Sequence, residues 1–347
     1  MAHRIRRAAL ATVGLAATAG AYGLAGKIDR QRVWADPRLW DLADPAPGRR
    51  VPVSGADGTP LHVEINGPED APTVVLVHGW TCAREYWAPQ LRDLGDRLRI
   101  VAYDLRGHGT SGIPDGGDWS IDAHADDLQA VLDATLRDGE KAVLVGHSLG
   151  AMTVVAWAER HPASVQRQAA AALLASTGTD DLIVEALLLR APKRLSPLTT
   201  ALSRLLIASP APLGRATPLT HRAVRYIALS KQATPAEVAF CENIVLHCPR
   251  RARASTARTL TRLDIASGVA HLQVPTIVLA GDADRLTPPV HARRLAAALP
   301  QLEELVVLPG VGHMTTVEAQ SEVDSRIERL VAEHVTHAQP VPLLSNA

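Results

Sequence analysis

Gly146-His147-Ser148-Leu149-Gly150 is the stretch of this chain whose residue types and spacing most directly suggest chemistry. A serine hydroxyl is a weak nucleophile until a base takes its proton, and the base needs a carboxylate to fix its tautomer and stabilise its cation. Ala142-Val-Leu-Val145 runs straight into the pentapeptide, and a helical stretch from Ala151 to Arg160 follows it. Ser148 therefore stands in the order buried strand, sharp turn, helix. Both glycines have a physical task in such a turn. Its central residue is held in a strained backbone conformation, and a side chain at 146 or 150 would collide with the neighbouring strand or helix. The turn presents Ser148 Oγ at the carboxyl end of a sheet, beside helix N–H groups that favour developing negative charge. The competing role for Ser148 is a plain cap on the helix that starts at Leu149.

The elements that must position this serine can be read along the chain. Val51-Pro-Val53 and Leu61-His-Val-Glu-Ile65 alternate at period two around Asp57-Gly58, which predicts a hairpin. Thr73-Val-Val-Leu-Val77 and Arg99-Ile-Val-Ala-Tyr103 are short continuous runs, as expected of strands buried on both faces. His78-Gly79-Trp80 follows the first, and Asp104-Leu-Arg106-Gly107-His108-Gly109 the second. A helix is expected over Ile121 to Arg137, then the strand before Ser148, then another strand over Ala170 to Ala175. Val274 to Ala280 and Glu304 to Leu308 complete the strands, and Glu318 to His334 is the last helix. Strand and helix alternating in this way build a mostly parallel sheet, here of eight strands, with helices on both faces. The residues between 178 and 268 lack a strand pattern and are broken by Pro192, Pro197, Pro210, Pro212, Pro218 and Pro235. That is too long for a structureless loop and reads as an inserted helical lid.

Position then selects the base and the acid. Catalysts in open α/β sheets gather at the carboxyl ends of strands. His313, in Pro309-Gly-Val-Gly-His313, follows the last strand, and its glycines let the loop curl back over the sheet edge. Asp284 follows the Thr276–Ala280 strand, with Asp282 a rival two residues away. The chain order Ser, Asp, His is that of α/β-hydrolases.

The residues from about 51 to 335 resemble the α/β-hydrolase superfamily in its serine esterase/lipase branch. The resemblance rests on His78-Gly79, Asp104-x-Arg106-Gly-x-Gly109, Gly146-x-Ser148-x-Gly150, Asp284-x-x-x-Pro288 and Gly312-His313, in that order. It implies the α/β-hydrolase fold, favours Asp284 over Asp282 through the spacing to Pro288, and assigns an oxyanion hole to the backbone N–H groups of Trp80 and Leu149. It also makes Asp104 and Arg106 parts of a structural turn and His78 a shaper of the oxyanion loop. Epoxide hydrolases and haloalkane dehalogenases share the fold but carry Asp at the nucleophile position, so Ser148 argues against both. His147 is expected to point away from the chemistry, and His108 and His124 to be loop or surface residues. No cofactor and no metal site is implied.

Composition sets the remaining bounds. The chain of 347 residues has balanced charge (36 basic, 36 acidic), which gives no electrostatic footprint for nucleic acid. Only 3% of residues are aromatic, so the core must be aliphatic and rich in alanine. Cys82, Cys241 and Cys248 form no metal-ligand spacing and no disulfide framework. His3, Arg4, Arg6 and Arg7 precede an uncharged, Ala- and Gly-rich run from Ala8 to Gly26. That pattern reads as a secretory signal, with Ala17-Thr18-Ala19 a weak cleavage site, or as a membrane anchor. The alternative is a helix packed on the catalytic domain.

The chain thus divides into residues 1–35 (signal, anchor or packed helix), a linker at 36–50, the sheet domain at 51–177 with 269–335, the lid at 178–268 and a tail at 336–347. The expected activity is that of a serine carboxylester hydrolase working through an acyl-enzyme on apolar, lipid-like small-molecule esters. Leu182–Leu189 and Leu202–Ile207 would line the acyl pocket. The alternatives are a thioester or C–C bond hydrolase on the same Ser-His-Asp scaffold, or a non-catalytic binding member of the fold. The expected location is membrane-associated or exported, with a cytoplasmic protein as the alternative; oligomeric state is left open.

Overall fold

The computed structural model describes residues 23–42, 47–182, 186, 209–211 and 213–335. The hairpin forms where the alternation places it. β1 (Arg49–Ser54) pairs antiparallel with β2 (Pro60–Asn66), Val53 opposite Leu61, and Gly58 takes the positive φ of 81° that the turn needs. Five strands follow that are buried from end to end: β3 (Thr73–Val77), β4 (Arg99–Tyr103), β5 (Ala142–His147), β6 (Ala169–Ala175) and β7 (Thr276–Gly281). β8 (Leu302–Leu308) closes the edge. The eight strands run in the order β1-β2-β4-β3-β5-β6-β7-β8; β2 is antiparallel to both of its neighbours, β1 and β4, and every other adjacent pair is parallel. The carboxyl ends of β3, β5, β7 and β8 therefore open on one edge of the sheet, with β5 inside it.

Alternation along each strand divides the core in two. Leu144 joins Val75, Val101 and the helices α4 (Ile121–Thr135) and α5 (Leu149–Arg160) on one face. Val143 and Val145 face Leu91 and Leu94 of α3 (Ala88–Leu94) and Val323, Ile327 and Leu330 of a C-terminal helix (Gln320–His334) on the other. With so few aromatics, Trp87 and Trp157 are the largest fully buried side chains, joined by Tyr86 and Tyr103 in a mainly aliphatic interior.

Several boundaries differ from expectation for local reasons. α4 starts where the Ser120 side chain accepts from Ala123 N–H and ends two residues early, at Thr135. α5 begins at Leu149, immediately after the serine. The last helix is broken at Ala319 into two pieces, Thr315–Glu318 and Gln320–His334. The short helix Pro162–Gln168 between α5 and β6 and the helix Pro289–Ala298 after β7 were not anticipated. For use below, the helices after α5 are α6 (Pro162–Gln168), α7 (Pro218–Ala228), α8 (Pro235–His247), α9 (Arg250–Leu260), α10 (Pro289–Ala298), α11 (Thr315–Glu318) and α12 (Gln320–His334).

Between β6 and β7, the described residues form α7, α8 and α9 and a 3-10 turn at Ala266–His271. Of the expected acyl-pocket stretches, Leu182 and Ala186 are described and the other residues lie outside the described set. The three cysteines are buried and unbridged.

At the amino terminus, a helix α1 occupies residues 23–34. It lies against α7 through Gly26 and Pro218 and through an Asp29–Arg222 ion pair at 3.5 Å. The rest of Ala8–Gly26, with Ala17-Thr18-Ala19, lies outside the described residues, as does the tail at 336–347. The stretch expected to be a linker is docked at its start. Arg38–Asp41 forms a helical turn (α2), Asp36 accepts from Ala236 N–H at 2.9 Å, and Arg38 donates to Gln320 at 3.0 Å. Among the described residues no helix is long and apolar enough to cross a membrane.

Candidate active site

The turn after β5 is strained as its sequence demands. Ser148 has φ 52° and ψ −116°, a left-handed backbone outside the ordinary regions for a side-chain-bearing residue. A Cβ at Gly146 would lie 2.5 Å from Ala151 Cα, and one at Gly150 would lie 2.0 Å from the Val77 carbonyl oxygen. Strand, turn and helix can pass this closely only over glycine. The Ser148 N–H donates to Ala175 O at 2.9 Å, which fixes the turn to the end of β6. The hydroxyl makes no helix-capping bond. Its partner is His313 Nε2, at 3.0 Å.

His313 reaches that position because its loop is tied down on all sides. Its N–H donates to Ala228 O at 2.9 Å, the last residue of α7. Its carbonyl accepts from His147 Nε2–H at 2.9 Å. One residue earlier, Gly312 N–H donates to Glu318 Oε1 at 3.1 Å, while the other oxygen of Glu318 accepts from Ser230 N–H at 2.8 Å. Burial raises the Glu318 pKa, opposed by these same hydrogen bonds.

The two aspartates separate cleanly. Asp284, 1% exposed, places Oδ2 2.8 Å from His313 Nδ1. Its Oδ1 accepts from Leu286 N–H and Thr287 N–H at 2.8 and 2.9 Å. Asp282 turns instead to Gly310 N–H at 2.7 Å and shapes the histidine loop. Thr287 was not anticipated. Its hydroxyl donates to Asp284 Oδ2 at 2.8 Å and lies 3.2 Å from His313 Nδ1.

The loop after β3 passes directly over the serine: a Cβ at Gly79 would be 3.2 Å from Ser148 Cβ and 2.7 Å from His147 Nδ1. His78 holds this loop. Its Nε2 accepts from Leu105 N–H at 3.0 Å, so the proton is on Nδ1, which donates to Gly79 O at 2.8 Å. Burial pushes its pKa down to about 4, so the ring is neutral. The backbone N–H groups of Trp80 and Leu149 donate to nothing among the described residues, and Leu149, first in α5, has no partner within its own helix. The Trp80 indole N–H donates to Arg253 O at 2.9 Å, tying the loop to α9.

Asp104 and Arg106 build a turn. Asp104 accepts from Arg84 N–H and Thr110 N–H at 2.7 and 2.8 Å, and Arg106 grips Asp127 with two bonds of 2.6 and 2.7 Å. His147 points away from the serine hydroxyl, but it is a fully buried brace for the His313 loop, with its pKa held well below the ordinary value by burial. His108 and His124 correct their expectation: both are fully buried, pushed down to about 3 by desolvation. The sequence signal for Thr287 was present in the Asp-x-x-Thr spacing, where a hydroxyl can turn back to the carboxylate. His147 and Glu318 had no such signal, since their partners come from distant elements.

The sequence model described as the alpha/beta hydrolase fold matches residues 72–320, and the chain belongs to that family. A bifunctional esterase/perhydrolase from Acinetobacter calcoaceticus is 39% identical over 112 residues, 32% of this chain and 39% of that protein. The chain thus spans about two fifths of that relative's length. A candidate carbamate hydrolase from Variovorax paradoxus is 30% identical over 260 residues, 74% of this chain and 91% of its own. A thermophilic esterase from Thermogutta terrifontis superposes with a TM-score of 0.65 at 24% identity, covering 83% of this chain and 100% of that one.

Proposed function

We propose that the protein is a serine carboxylester hydrolase working through an acyl-enzyme, with Ser148 as nucleophile, His313 as base and Asp284 as its orienting acid. The observation that carries this reading is the hydrogen-bonded line from Ser148 Oγ through His313 (3.0 and 2.8 Å) to Asp284. His313 Nε2 takes the Ser148 proton as Oγ attacks the ester carbonyl, and returns it to the leaving alcohol. The free N–H groups of Trp80 and Leu149 receive the oxyanion, each donor worth about 3–4 kcal/mol in systems of this kind. Water then attacks the acyl-enzyme, with the same histidine as base.

The substrate we propose is an apolar small-molecule ester. Membrane association through the N-terminal region is supported by a second observation. Leu24, Ile28, Trp34 and Trp40 are exposed, the tryptophans at 71% and 69%, beside exposed Lys27, Arg30 and Arg32. Tryptophan and cations side by side suit a lipid headgroup layer. A panel of 4-nitrophenyl esters of graded chain length, with thioester and C–C substrates beside it, tests the activity. Hydrolysis of the esters that disappears in Ser148→Ala and His313→Ala supports the reading; turnover of the thioester or C–C substrate alone moves it to the alternative.

A further inference from the structure

The inward face of α9 holds a cation with no anion to pair with among the described residues. Arg253 is 6% exposed, yet no carboxylate lies within ion-pair distance of it among the described residues. Among the described residues its guanidinium has a single hydrogen bond, from Nη2 to the Ala211 carbonyl, and Nε donates to nothing. One turn along the same face, Thr256 is fully buried and its hydroxyl also lacks a partner. Cys248 interacts with Arg253, but burial pushes that thiol up to about 12, so it is neutral and supplies no counter-charge. Arg250 adds a second positive charge nearby.

A buried guanidinium without an anion costs several kcal/mol, and a buried hydroxyl without a partner adds to that. An apolar side chain would fill the same space at no such cost. Two contacts tie the backbone at this position to the reaction centre. Trp80, whose N–H is a proposed oxyanion donor, bonds through its indole to the backbone of Arg253 itself (2.9 Å), and Gly79 lies against Ser148. The backbone of Arg253 thus borders the loop that covers the serine, and Thr256 lies one turn further along the same helix.

We propose that Arg253 and Thr256 form a subsite for an anionic group, a carboxylate or a phosphate, carried by the substrate some methylenes away from the scissile carbonyl. A guanidinium offers paired donors to either oxyanion, and the hydroxyl supplies one more. The assignment rests on the hydrolase reading above and narrows its substrate to an ester with an apolar chain ending in an acid.

The test compares kcat/KM for 4-nitrophenyl hydrogen glutarate, adipate and suberate with that for the neutral 4-nitrophenyl pentanoate, and adds an acyl chain ending in phosphonate. The intact enzyme should prefer an acid-ended chain of one length. Arg253→Met should lower the anionic-to-neutral ratio about 10- to 100-fold, mainly through KM, and Arg253→Lys by less. Thr256→Val should lower it by several-fold. Carboxylate against phosphonate preference identifies the source of the anion. A second arm is independent of turnover. In Ser148→Ala, adipate or inorganic phosphate should raise Tm, and Arg253→Met in the same background should abolish the shift. An unchanged ratio in folded Arg253→Met overturns the subsite while leaving the hydrolase standing. So does a Tm that falls by several degrees in Arg253→Met with no anion effect in the parent, which would make the guanidinium a brace for Ala211. If no ester is turned over, the hydrolase reading fails and the Tm arm alone decides the subsite.

Discussion

Replacing Asp284 by asparagine tests the site through the orientation of one amide. In the protein, Asp284 Oδ1 accepts two backbone N–H bonds, from Leu286 and Thr287, at 2.8 and 2.9 Å. Those donors cannot turn away, so the asparagine oxygen must occupy that position. Its NH2 then takes the place of Oδ2, facing His313 Nδ1 and the Thr287 hydroxyl, which now lie 2.8 Å from Oδ2. An NH2 there donates to Nδ1 and forces the histidine proton onto Nε2. Nε2 becomes a donor toward Ser148 and can no longer take its proton. The size of the substituent is unchanged, so the loss should fall on kcat, by about 10⁴, or about 5.5 kcal/mol. Asp282→Asn keeps an oxygen for Gly310 N–H and should stay within about threefold. Steady-state kinetics on a short 4-nitrophenyl ester, with Tm measured alongside, reads both. Activity of Asp284→Asn within tenfold of the parent, or a larger loss in Asp282→Asn, refutes the reasoning.

Three further perturbations follow from the same contacts. Gly150→Ala drives a methyl to 2.0 Å from Val77 O, so it should lower both Tm and kcat by overpacking worth about 1–3 kcal/mol or more, whereas Gly116→Ala, with nothing within 4 Å, should do neither. His78, His108 and His124 have folded pKa values of about 4, 3 and 3, below the unfolded value, so their stability is present above about pH 6.5 and lost as pH falls toward 4. His78 alone is worth about 3 kcal/mol. Asp127 and Asp324, both raised to about 6 by burial, and Glu318, also raised, act in the opposite sense as pH falls from about 6 to 4, and the three histidines, each shifted further, outweigh them. Tm should therefore drop on acidification, less steeply in His124→Asn, and a Tm higher at pH 4.5 than at pH 7 contradicts this. A chain starting at Asp36 keeps the bonds of Asp36 to Ala236 and Arg38 (2.9 and 3.0 Å) and should fold and hydrolyse short esters, while the full chain binds anionic vesicles. A truncated chain that aggregates, with a full chain indifferent to vesicles, makes α1 a packed structural helix.

The parts of the site legible in the sequence are those fixed by local geometry. Gly146 and Gly150 announce the turn because the close approaches at Ala151 and Val77 admit no side chain, whatever the rest of the fold does. His313 and Asp284 are visible because parallel strands bring their carboxyl ends to one edge, so a residue's place after a strand is enough. The helices α6 and α10 are short and each opens on a proline, Pro162 and Pro289, a residue that breaks a helix interior but is at home in a first helical turn. The braces were illegible for another reason. His147 finds the His313 carbonyl 166 positions away, and Glu318 joins Ser230 to Gly312 only once α7 has been laid against the sheet edge. Histidine burial likewise depends on what packs over it, so His108 and His124 looked like surface residues until α4 and the loop after β4 closed on them.

The central claim is that Ser148 is the activated nucleophile, and covalent capture measures it without reference to substrate. A fluorophosphonate reacts where a serine Oγ is deprotonated by an adjacent base, so the folded full chain should take up one equivalent, located by peptide mass spectrometry on the fragment containing Ser148. Ser148→Ala should take up none, and His313→Ala should label slower by orders of magnitude. Labelling that persists in Ser148→Ala, or that is as fast in His313→Ala as in the parent, contradicts the account.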